Sequence, residues 1–139
     1  MSLKWERAYP YICALMAGAV WYYFSPAFPQ KDSIFSATLT VSGIFIGFLS
    51  TSKAILLTTH SQVMDDLKKS GYVDLLISYS SEAIWVNLLF CVIDIAAFFC
   101  DSCSRTFSTI WILFGTCSLL AFFRVTQITL KLYKYSSRM

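Results

Sequence analysis

The chain has 139 residues, 57% of them hydrophobic and only 14% charged, with a mean hydropathy of +0.61, whereas soluble domains carry about 25% charged residues to make a polar surface. That balance excludes an ordinary soluble domain and predicts one membrane-embedded domain over residues 1–139. The net charge of +3 comes from dispersed basic residues with no aromatic-interleaved basic stripe, which argues against direct nucleic-acid binding.

Four windows are long and apolar enough to cross a hydrocarbon core of about 30 Å, which takes roughly 20 helical residues. The first, residues 8–24, follows Lys4 and Arg7 in the manner of a secretion signal. Its apolar run is longer than a signal core, however, and Trp21, Tyr22 and Tyr23 form an interfacial aromatic belt where small residues would precede a cleavage site. It reads as a retained anchor, ended by Pro26 and Pro29. The second window is residues 34–52, the third 83–99 and the fourth 106–125.

Counted loop by loop, Lys4, Arg7, Lys68, Lys69, Lys131, Lys134 and Arg138 fall on one side, against Lys31 and Arg105 on the other. An excess of Lys and Arg marks the cytoplasmic face, so both termini are expected there. The expected fold is an all-α integral membrane protein, a multi-pass bundle of four transmembrane helices running up-down-up-down.

Between the second and third windows, residues 54–80 read as a helical cytoplasmic hairpin. Lys53 arrives at the interface, where its stem lies along the helix while its ammonium reaches headgroups or water. Beyond it, apolar Leu57, Val63, Met64 and Leu67 alternate with His60, Asp65, Asp66, Lys68 and Lys69, and Ser70-Gly71 is a helix stop. The chain restarts at Tyr72 with Val73, Leu75, Leu76 and Tyr79 as a second apolar face. A hairpin of this kind needs a cover, so Leu67, Lys68, Lys69, Tyr72, Leu75, Leu76 and Tyr79 are the expected docking surface for a soluble protein or for membrane lipid.

Within the second window, Gly43 and Gly47 form a GxxxG motif extended by Ser50, which lets another helix approach closely, either inside one bundle or between copies in a homo-oligomer. Lys53, Glu82 and Arg124 share one level and are expected to form an interfacial charge cluster, structural or responsive to lipid, voltage or ions. Asn87 and Asp94, seven apart in the third window, share a helix face. They are expected to bond Thr109 or Thr116 of the fourth window, or to line a polar path in an oligomer.

Of five cysteines, Cys13, Cys91 and Cys117 sit in apolar windows, while Cys100 and Cys103 form a CxxC in the last outer loop, suited to a local disulfide or to redox exchange. Redox enzymes of this shape relay electrons through a second loop pair, which the first outer loop lacks. Two sulfurs without a nearby histidine do not complete a zinc site. No G-x-S-x-G elbow, P-loop, HExxH or dinucleotide glycine pattern is present, so no catalytic residue, cofactor or metal is expected, and the chain reads as a non-enzyme.

The run SATLTVSGIFIGFLSTSKAILLT leading into LKKSGYVDLLISYSSEAI resembles small bacterial inner-membrane proteins of anti-phage defence. It resembles most the membrane subunit of the Kiwa system, and RexB-type exclusion proteins share the layout. The first resemblance implies an oligomeric inner-membrane sensor that recruits a cytoplasmic, DNA-binding effector. The second implies an ion channel that depolarises the cell.

Overall fold

A computed structural model of the chain describes residues 3–24, 26, 32–58, 71–99 and 104–136. Four helices make up nearly all of this: α1 (Leu3–Phe24), α2 (Asp32–Thr58), α3 (Tyr72–Ala97) and α4 (Arg105–Ser136). Among the described residues there is no strand.

Three of the four helices are long and apolar enough to cross a membrane: Ser33–Thr58 in α2, Val73–Ala97 in α3 and Arg105–Lys131 in α4, of 26, 25 and 27 residues. Each exceeds the roughly 20 residues a hydrocarbon core demands. α1 is shorter, at 22 residues. It is diluted by Arg7, Pro10 and the aromatic residues Tyr9, Tyr11, Trp21, Tyr22 and Tyr23.

The helices run longer than hydropathy predicts. α2 continues past Lys53 to Thr58, and α3 begins at Tyr72 rather than near residue 83. Residues 72–80, expected to be the second arm of a separate hairpin, are therefore the first turns of α3. Gly71, where a helix stop is expected, stands directly before α3 with a left-handed φ of 75°, a conformation that costs residues bearing a Cβ about 1–2 kcal/mol. The first arm of the expected hairpin, with His60 and Leu67, lies outside the described residues beyond Thr58.

The three principal helix pairs pack antiparallel. Early residues of α2 meet late residues of α3, as in Thr38 with Asp94, and late ones meet early ones, as in Lys53 with Ser81. The same reversal pairs α3 with α4 through Asp94–Trp111 and Glu82–Arg124, and α1 with α4 through Trp21–Ser108 and the Arg7 carbonyl with Arg124. The principal packing pairs are α2 with α3, α1 with α4, and α3 with α4. Although consecutive in the chain, α1 and α2 are not a principal pair. Ser81 of α3 turns to α2 while the adjacent Glu82 turns to α1 and α4, which sets α1 and α2 on opposite flanks of the α3–α4 pair.

The apolar core lies between α2, α3 and α4. It consists of Leu49, Leu76, Tyr79, Ala83, Ala121, Val125 and Ile128, with Leu56, Leu75, Ile84 and Phe122 against it. Phe45 of α2 stacks on Phe122 of α4 with centroids 3.9 Å apart. Small residues set the close approaches: a Cβ at Gly18 would meet Leu113 at 3.3 Å, and one at Gly115 would meet Phe90 at 3.1 Å. Large apolar residues such as Leu15, Met16, Ile44, Trp85 and Val92 point outward, an arrangement suited to a lipid surround.

Candidate functional site

Antiparallel packing gathers Arg7, Lys53, Asp74, Glu82, Arg124 and Lys131 toward one end of the described bundle and leaves Arg105 at the other. At the charged end, Arg124 of α4 is buried and donates to Glu82 Oε2 at 3.0 Å. A second guanidinium nitrogen donates to the Arg7 carbonyl at 3.4 Å, and the guanidinium carbon sits 4.1 Å from the Tyr79 ring centroid. Tyr11 of α1 donates its hydroxyl to Glu82 Oε1, and Arg7 approaches the same carboxylate at 3.9 Å. A single carboxylate thus joins three helices. Charged pairs of this kind persist in an apolar interior only when the remaining donors and acceptors are also served.

Two members of the expected charge cluster, Glu82 and Arg124, are brought together. Lys53 is not part of it: it reaches across the other flank to donate to Ser81 Oγ at 2.8 Å. Arg7 and Tyr11, which complete the cluster, escaped the sequence reading. Their signal is the i, i+4 spacing that puts both on the α1 face turned to Glu82.

The second polar group lies deeper along α3. Asn87 is fully buried, donates to the Ala83 carbonyl at 2.8 Å and accepts from Ser118 Oγ at 2.7 Å. Asp94, also fully buried, accepts on Oδ1 from Thr38 Oγ1 at 3.0 Å and from Trp111 Nε1 at 2.7 Å. Trp111 is held by Phe35 and Phe90 with ring centroids 6.1 and 5.6 Å away. The expected shared face of Asn87 and Asp94 is present, but its partners are Ser118, Thr38 and Trp111. Thr109 instead donates to the Arg105 carbonyl of its own helix. Both the acidic and the amide group face inside one chain.

The small-residue motif faces the other way. Gly43, Gly47 and Ser50 are exposed, and a Cβ built at either glycine meets none of the described residues within 4 Å. Internal helix packing, one of the two readings of GxxxG, is therefore not its use here.

The expected docking surface divides. Leu67, Lys68 and Lys69 lie outside the described residues. Tyr72 starts α3. Leu76 and Tyr79 are 1% and 2% exposed and belong to the core, with Leu75 packed against it. Their apolar face is covered by α2 and α4 of the same chain, so it is not a free docking face. Cys100 and Cys103 lie outside the described residues, and Cys13, Cys91 and Cys117 are free thiols. Among the described residues, no group of three or more His, Cys, Asp or Glu side chains is placed to hold a metal ion.

Comparison of the chain with family models, with curated proteins and with solved structures finds no match.

Proposed function

We propose that this chain is a four-span protein of the bacterial inner membrane, with both termini cytoplasmic, that self-associates through the outer face of α2 and serves as the membrane anchor and sensor for a cytoplasmic effector. α1 is included among the spans because 22 residues of helix reach about 33 Å, and its tyrosines and tryptophan suit the two interfaces. The orientation is supported by the basic residues Arg7, Lys53, Arg124 and Lys131 at the end assigned to the cytoplasm.

The observation that carries the proposal is the open Gly43–Gly47 face. Glycines in a membrane helix expose backbone, and lipid gains little from packing on it, whereas a second helix gains close van der Waals contact. The effector role follows the resemblance to anti-phage defence membrane proteins. Its docking surface falls to Lys68, Lys69 and the basic tail, since Leu76 and Tyr79 are enclosed. The resemblance to RexB-type channels receives less support, because Asn87 and Asp94 are sealed within one chain.

The test has two readouts. Purified wild type is expected to migrate as an oligomer in mild detergent and the Gly43→Leu, Gly47→Leu double variant as a monomer; a monomeric wild type removes the proposal. In the native host, deletion of the gene is expected to raise phage plating, and the double variant should not restore protection. Unchanged plating on deletion rules out the defence role while leaving self-association to its own measurement.

A further inference from the structure

Two buried side-chain atoms among the described residues have no hydrogen-bond partner, Arg124 Nε and Asp94 Oδ2. Arg124 is otherwise well served by Glu82, the Arg7 carbonyl and the Tyr79 ring. Asp94 is not. Both of its donors, Thr38 and Trp111, converge on Oδ1, and the side chain is fully buried.

Among the described residues, no charged group bonds to Asp94. α2 presents the Thr38 hydroxyl and α4 the Trp111 indole, both neutral. On α3 the nearest titratable neighbour in sequence is Cys91, one turn earlier. Of the charged groups on the same helices, Glu82 lies twelve residues before Asp94 on α3, about 18 Å away, while on α4 Arg105 and Arg124 lie six residues before and thirteen after Trp111.

A purely structural role does not require a carboxyl. Asn87, seven residues earlier on the same face, shows how this chain glues helices: its amide uses both of its ends, on Ala83 and Ser118. An amide at position 94 would accept from Thr38 and Trp111 equally well. What the aspartate adds is a second oxygen that can take up and release a proton. A metal cation is a poorer ligand for this oxygen, since it needs several oxygen donors, and the nearest group, Trp111 Nε1–H at 2.7 Å from Oδ1, is itself a hydrogen-bond donor.

We propose that Asp94 is a reversible proton-binding site inside the bundle. The proton is exchanged with water and sits on Oδ2 as an O–H bond, while Oδ1 keeps its bonds to Thr38 and Trp111. No other bond forms or breaks.

The experiment is infrared difference spectroscopy of the full chain in lipid vesicles, titrated from acid to alkaline pH. Wild type minus Asp94→Asn is expected to contain a carboxylic-acid C=O band that changes with pH, and Asp94→Glu should restore a displaced band. Trp111→Phe, which removes one donor to Oδ1, should move its midpoint, an effect a structural residue would not produce. A difference spectrum with no pH-dependent carboxyl band overturns the proposal. Should the asparagine variant fail to fold, carbon-13 labelling of aspartate in the wild type reads the same titration. A set of aspartate carboxyl signals that are all solvent-exposed, or a buried one insensitive to pH, overturns it equally.

Discussion

Arg124 reaches Glu82 at 3.0 Å from inside the bundle, its side chain 2% exposed against 18% for its partner. This pair ties α4 to α3, and through Tyr11 and the Arg7 carbonyl it also secures α1, which is not a principal packing partner of α2. Removing the guanidinium leaves the carboxylate enclosed without its cation. Arg124→Met is expected to cost about 3–5 kcal/mol. Arg7→Ala should cost less than about 1 kcal/mol, because its 3.9 Å approach is made by a side chain that is 65% exposed. Thermal unfolding in detergent checks both, and equal losses would contradict the assignment of Arg124 as the cluster's centre.

Asn87 and Ser118 bond at 2.7 Å in a fully buried setting. A double-mutant cycle of Asn87→Leu and Ser118→Ala is expected to give a coupling of about 0.6 kcal/mol, the average for hydrogen bonds between membrane helices, and not above about 1.7 kcal/mol. Strict additivity of the two single losses would show that the amide is satisfied elsewhere.

The glycines of the chain divide by what lies opposite them. Gly115→Ala places a Cβ 3.1 Å from the Phe90 ring, which itself packs on Trp111, so an overpacking cost of about 1–3 kcal/mol is expected. Gly43→Ala meets none of the described residues and should leave monomer stability within about 1 kcal/mol of wild type, since only helix propensity changes. Chemical denaturation of the two variants side by side measures the contrast, and a larger loss at Gly43 would place that face inside the bundle.

Leu76 and Leu75 are neighbours with different surroundings. Leu76→Ala is expected to cost about 2–5 kcal/mol, as a truncation in the core between α2, α3 and α4. Leu75→Ala should cost less, because Leu75 packs at the margin of that core. If both variants retain wild-type stability but lose an associated protein, the segment is a docking surface after all.

Much of the fold is legible in the residues alone. Long apolar runs specify α2, α3 and α4, because a helix is how a chain satisfies its backbone hydrogen bonds away from water. Charge specifies part of the site: Glu82 and Arg124 are too costly to leave unpaired in an apolar setting, and they meet. Seven-residue spacing likewise put Asn87 and Asp94 on one face, and both point inward.

Tertiary structure alone decided what each face meets. In a soluble protein an apolar face points inward, because water stands on the other side. In a chain suited to a membrane, lipid is as apolar as a core, so hydropathy does not distinguish the outward Gly43–Gly47 face from the inward Leu76–Tyr79 face. Nor does spacing choose Trp111 and Thr38 as the partners of Asp94, since these lie on helices whose register is set by close packing at positions such as Gly115. The residues determined four helices and their polar points. Shape complementarity between them, which has no signature in a single sequence, set α1 and α2 on opposite flanks and turned Asp94 Oδ2 toward no partner.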